Sequence, residues 1–103
     1  METMIPLTIK IIVDKKSSDA PFVAYTPELD IASCGPTEAK AKKNLAEAVE
    51  IILKGATEDG NLKDLLLESG FEIGKSEVKP PKLSTDKLTM RLSPEQSSQI
   101  WHV

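Results

Sequence analysis

A chain of 103 residues with a formal net charge of −3 supports one domain around one core. Its acidic balance argues against bulk nucleic-acid binding, which usually needs a basic face. Aromatic residues make up 4% of the chain, so the core has to be built from Leu, Ile, Val and Ala, and so thin a core favours association into a homo-oligomer.

Residues 5–13 alternate. Leu7, Ile9, Ile11 and Val13 share one side and Thr8, Lys10 and Ile12 the other, which predicts a half-buried strand that starts at Pro6. A polar loop at residues 15–19 leads to a second strand, Phe22 to Thr26, and the pair reads as a hairpin. Pro27-Glu28-Leu29-Asp30 is a turn, Ile31 to Cys34 a short third strand, and Gly35-Pro36 its stop. Thr37 then caps a long helix that runs to about Lys54 or a little beyond. Ala41, Leu45, Ala48, Val49 and Ile52 form its apolar stripe, and Glu50 and Lys54 stand in the favourable order for an ion pair.

Asp59-Gly60-Asn61 breaks the chain, and Asn61 with Asp64 predicts a capping box for a second, short helix. Gly70 closes that helix, with Phe71 packing back on it, and Phe71, Ile73 and Val78 suggest a fourth strand. Lys79-Pro80-Pro81-Lys82 is an extended linker. Leu88, Met90 and Leu92 alternate with Thr89, Arg91 and Ser93, which predicts a further strand over 87–92. Ser93, Pro94 and Gln96 then start a helix. The fold class is α+β: a three- to four-stranded antiparallel sheet with one long helix across it, in the order β-β-β-α, short α, β, plus a C-terminal extension.

Chemistry-bearing residues are sparse. Asp14, Asp19, Glu28 and Asp30 are the carboxylates a two-metal hydrolase would need to gather, but each sits where acids are ordinary, at strand ends, loops and turns. Cys34 has no base near it in sequence and reads as a buried structural thiol, and the one histidine, His102, reads as an exposed terminal residue. No catalytic residue, metal or cofactor is expected. The lone cysteine fits a reducing compartment, Met1 to Lys10 does not resemble a secretory signal, and no apolar run approaches the roughly 20 residues that span a bilayer. A cytoplasmic protein without a membrane segment is expected. Charge is graded along the chain. Residues 14–60 hold nine acidic and six basic side chains, whereas residues 75–91 hold five basic (Lys75, Lys79, Lys82, Lys87, Arg91) and two acidic. Trp101 either docks on the core or sits in an interface. The strand over 87–92 either closes its own sheet or pairs with a second copy, and the reach of the linker favours the second.

Val23-Ala24-Tyr25, Pro27-Glu28-Leu29, Gly35 with Thr37, Glu38-Ala39, Asn44-Leu45 and Glu47-Ala48, in this order and spacing, resemble the HicB-like antitoxin family. The match covers about residues 5–73; where the family often has Pro-Gly-Cys after the turn, Asp30-Ile31-Ala32 stands here. The resemblance implies a degraded ribonuclease-H-like fold over residues 1–78. It leaves 79–103 as a linker and strand/helix extension that serves oligomerisation. It also implies a function, the neutralisation of a small, basic, mRNA-cleaving toxin of HicA type. Tyr25, Pro27, Glu28 and Leu29 are then a partner-binding edge, the alternative being that Tyr25 and Leu29 pack under the helix and Pro27 shapes the turn. Lys87 to Gln96 resembles the opening of a ribbon-helix-helix unit without its second helix. Leu88, Thr89, Met90, Arg91, Leu92 and Trp101 are accordingly oligomer or DNA contacts. The rival functions are a transcriptional regulator that uses this ribbon on DNA and a stand-alone oligomeric binding protein with no toxin.

Overall fold

The computed structural model describes residues 2–101. Strands β1 (Lys10–Val13), β2 (Phe22–Thr26) and β3 (Ile31–Gly35) form an antiparallel sheet in that order. Helix α1 (Glu38–Glu58) packs across one face of it, followed by α2 (Leu62–Glu68), a small hairpin of β4 (Glu72–Ile73) and β5 (Val78–Lys79), and α3 (Pro94–Ser98).

The register sorts the side chains. Ile11 pairs with Ala24 and Ala24 with Ser33, which places Ile11, Phe22, Ala24, Thr26, Ile31, Ser33 and Gly35 on the helix side. Ala24, Ala41, Leu45 and Val49 form the buried centre, with Leu7, Phe22, Leu29, Ile31 and Leu53 packed around it. Of the expected stripe on α1, Ala41, Leu45 and Val49 are buried and Ala48 is half-buried, whereas Ile52 is 41% exposed and Ala56 is buried in the next turn; the helix ends at Glu58. Its N-terminus is held by the Thr37 hydroxyl, which accepts from the Lys40 amide at 3.0 Å. The ion pair on this helix is Glu38–Lys42, at 4.0 Å, in place of Glu50–Lys54.

Both helices end in the same way. Gly60 (φ 74°) lets the Asn61 amide reach the Ala56 carbonyl and its own amide reach Thr57. Gly70 (φ 91°) does the same with Phe71 to Leu66 and Gly70 to Leu67. These are two successive Schellman closures. The first of them explains a correction. Asn61 makes no side-chain cap on α2, because its backbone (φ −119°, ψ 20°) is already committed to closing α1.

Three strand expectations also change. The first strand is four residues, not nine, because β2 turns away at Pro27 and leaves residues 5–9 without a partner backbone. Leu7 still packs on the core, whereas Ile9 stays exposed. The fourth strand does not join the main sheet but pairs with β5. The strand expected over 87–92 is absent: from Pro80 to Ser93 the chain runs without turn, bend or strand pairing. The radius of gyration is 18.3 Å, against about 13 Å for a compact chain of this length, and the extents are 63 × 31 × 22 Å. The tail stands away from the body.

Gly35 sits where α1 and β3 approach most closely, and a Cβ there would lie 2.7 Å from the Ala41 nitrogen, which is backbone and cannot swing away. Gly35→Ala is expected to force α1 off the sheet and to destabilise the fold by about 1–3 kcal/mol, read as a lowered urea midpoint at unchanged slope.

Candidate functional site

The turn after β2 is built around a buried carboxylate. Glu28 is 7% exposed, and its two oxygens accept hydrogen bonds from the Thr8 amide (2.9 and 3.1 Å), the Thr8 hydroxyl (2.7 Å) and the Thr26 hydroxyl (3.1 Å). The side chain thereby ties residues 5–9 to the sheet where the backbone ladder has run out. Burial pushes the carboxyl up, but the hydrogen bonds from Thr8 and Thr26, with one from its own backbone, outweigh it, and its pKa lies below the ordinary range.

Leu29 packs on the core and Pro27 is half-buried in the turn, as the packing alternative expected. Tyr25 does not lie under the helix. Strand alternation puts it on the opposite face, where its hydroxyl donates to Asp30 at 2.8 Å. That bond, with partial desolvation and the Asp30 charge, raises the phenol above its ordinary pKa. Asp30 itself adopts φ 54°, a conformation that Asp tolerates better than most residues. The four turn residues are thus divided: three build the fold, and Tyr25 faces out.

Tyr25 shares the open face of the sheet with Lys10, Ile12, Val23, Ala32 and Cys34. Cys34 is exposed, not buried, because Ile31 and Ser33 take the helix side of β3. Its carbonyl accepts from Asn44 Nδ2 at 2.8 Å, so the asparagine of the helix motif fastens α1 to the edge of the sheet. The carboxylates weighed as metal ligands do not converge: Glu28 is bound to Thr8 and Thr26, Asp30 to Tyr25, and Asp14 accepts from the Lys16 amide. Among the described residues no group of three His, Cys, Asp or Glu is placed to hold a metal ion. His102 lies outside the described residues.

A surface that the sequence reading missed lies at the α1–α2 corner. A cleft of about 470 Å³ has Ile52, Ala56 and Leu65 along it and is rimmed by Asp59, Asp64 and Glu68, with no basic residue in its lining. Among the described residues the ion pairs are Glu38–Lys42 and Glu77–Lys79, and neither involves this rim. Neither α1 nor α2 has a basic residue in its last turn; Glu58, Asp59 and Glu68 stand there instead, against the helix dipole. Asp64 and Glu68 are also like charges one turn apart. That spacing was the legible signal, but Asp64 alone was read, as a cap. Beside the cleft, Ile51 lies exposed between Glu47, Glu50 and Lys54.

The segment 87–92 is the other exposed apolar feature: Leu88, Met90 and Leu92 are 83%, 69% and 48% exposed, and Trp101 is 69% exposed, not docked on the body. No helix among the described residues is long and apolar enough to cross a membrane. Comparison with family models, with curated proteins and with solved structures finds no match to this chain.

The Glu28 carboxylate sets a pH dependence. Its folded pKa is lowered, so its contribution is complete above the ordinary glutamate value of about 4.3 and is lost as pH falls through the folded value. Glu28→Gln, which keeps one acceptor oxygen, is expected to lose about 1–3 kcal/mol at neutral pH. It should also flatten the acid limb of the stability curve, as measured by urea denaturation at pH 3 to 7.

Proposed function

We propose that this chain is a HicB-like antitoxin that binds and neutralises a small, basic, mRNA-cleaving protein of HicA type in the cytoplasm. Two lines support the reading. The first is the ordered set of short motifs from Val23 to Ala48. The second, which carries the proposal, is the acid-rimmed apolar cleft at the α1–α2 corner. Asp59 and Glu68 sit at helix C-termini, where a negative charge costs the isolated chain stability, and no ion pair among the described residues offsets them. Acids that oppose the local dipole around an apolar floor suit a partner that brings basic side chains to them and covers Ile52 and Leu65. An enzyme that grips RNA through its phosphates has such a basic surface. An antitoxin seated on that surface blocks substrate by occupying it, and charge complementarity speeds the encounter.

The open sheet face, with Tyr25 at its centre, is less suited to this partner, because Lys10 is its one fully charged member.

Co-expression with any small basic protein encoded beside this one tests the reading. A stable complex with suppressed RNA cleavage is expected; no complex, or a complex that still cleaves, overturns it. Reversal of the two helix-end acids separates function from fold. Asp59→Lys with Glu68→Lys is expected to raise the melting temperature, since each change gains about 0.3–1 kcal/mol from the helix dipole. The same pair of changes is expected to weaken the complex at least tenfold by calorimetry. Affinity of the unaltered pair should fall steeply between low and physiological salt.

A further inference from the structure

We infer that the open face of the sheet stacks on the same face of a second copy of this chain, about a two-fold axis parallel to β2. In that arrangement β1 of each copy lies over β3 of the other, and Lys10 of each meets Asp30 of the other. The inference is independent of the toxin reading, because it uses the face turned away from α1.

The strands are apolar on both sides. Ile11-Ile12-Val13 and Phe22-Val23-Ala24-Tyr25 are unbroken runs, not the apolar–polar alternation of a strand that turns one side to water. One side of these runs is covered by α1. The other has no second layer within the chain: Ile12 is 54% exposed, Ala32 and Cys34 are exposed, and Val23 and Tyr25 are half-buried. Two charged groups flank this apolar patch at the same end of the sheet. Lys10 stands on the β1 edge, in register with Tyr25. Asp30 stands just before β3, and its carboxylate is held on this face by the Tyr25 hydroxyl at 2.8 Å. Among the described residues neither Lys10 nor Asp30 has an ion-pair partner.

The occupant is a second copy because the face complements itself in charge and in shape. A two-fold axis parallel to β2 reverses the strand order and keeps the ends of the sheet together. Lys10 of one copy then lies over Ala32 of the other, beside its Asp30, and the pair of contacts occurs twice. Sheets stack about 10 Å apart, a gap that a lysine side chain crosses. The volumes match as well. The long side chains of this face, Lys10 and Ile12, stand on β1, and the short ones, Ala32 and Cys34, stand on β3 in the same two rows. The rotation sets Ile12 over Cys34 and Lys10 over Ala32, large against small, as close packing requires. Val23 and Tyr25 meet their own copies at the axis. An axis across the strands would instead set β1 over β1, large against large, and leave Asp30 without Lys10. Three strands of four or five residues span roughly 14 by 17 Å, which belongs to the small, transient class of interface. The association is therefore weak and concentration-dependent.

The chain carries its own reporter. Cys34 is its one cysteine, exposed in the single copy and covered by Ile12 of the second copy in the stack. The rate at which a thiol reagent modifies Cys34 in the full chain is expected to fall as protein concentration rises, in step with the association seen by sedimentation equilibrium. Val23→Lys, which sets two charges face to face at the axis, should keep Cys34 fast at every concentration. Lys10→Glu, an exposed change that leaves the core untouched, should raise the dissociation constant by about tenfold or more, since it sets like charges together at both corners. Asp30→Asn tolerates the φ of 54° and keeps an acceptor for Tyr25, and added to Lys10→Glu it should recover most of that loss. A Cys34 rate independent of concentration up to about 1 mM, where even a small interface associates, overturns the inference. So does protection of Cys34 that survives Val23→Lys, or a Lys10→Glu chain that associates as well as the unaltered one.

Discussion

The fold depends on how closely one helix can lie on a three-stranded sheet. With 4% aromatic residues, the chain cannot fill a wide gap between the two layers, so it closes the gap. Gly35, Ala24 and Ala41 line the contact, and at Gly35 there is no room for a methyl group. Larger side chains, Leu45 and Val49, follow along α1 as it crosses the sheet. The close approach also brings Asn44 within reach of the Cys34 carbonyl. Thus three small positions and one amide fix the helix, and the helix in turn fixes which face of the sheet is core.

That constraint makes the molecule one-sided. A single helix covers one face, and the other keeps Ile12, Val23, Ala32 and Cys34 without a second layer. At the far end of α1 the same economy leaves a corner, since α2 is seven residues long and covers little beyond Ala56 and Leu66. The acids gather at that corner. Asp64 lies in the first turn of α2, where the dipole favours an acid, but Asp59 and Glu68 stand at helix C-termini, against the dipoles. The cost is intelligible if the surface is meant to meet positive charge.

The sequence was legible where local chemistry decides the outcome. Thr37, Gly60, Gly70 and the Ser93–Gln96 box each act within a few residues, and each was readable as a helix boundary. The stripe of α1 was readable for the same reason from Ala41 to Val49, but not at Ile52, which is exposed. Legibility failed where the outcome depends on a distant partner. Residues 5–9 alternate like a strand, but strand pairing needs a facing backbone, and β2 ends at Thr26. The Thr8 amide instead finds the Glu28 carboxylate, a long-range bond that no periodicity reveals. Cys34 was misplaced because a strand of five residues offers no cue to which alternate side is inward. Of the site, the motif from Val23 to Ala48 was visible but proved largely architectural, whereas the acidic corner arises from two helices meeting and had to be seen in three dimensions.

Stability and association are linked in such a chain. Of the seven buried apolar residues among those described, three are alanine, and Phe71 is the one aromatic side chain among them. Domains of this size are stable by about 5–15 kcal/mol in general, and a core this thin belongs toward the lower end. Each exposed apolar surface is therefore burial that a single copy forgoes. A partner that covers the α1–α2 corner, or a second copy that covers the open sheet face, binds the folded chain and not the unfolded one, and so adds to stability by mass action. The corner and the tail carry opposite charge, acidic on the corner and basic along 75–91. Only residues 69–74 separate them along the chain, and Pro80 and Pro81 lie within the basic stretch. An acidic corner suits a basic partner, and a basic tail does not compete for it, so one sequence presents both surfaces without conflict.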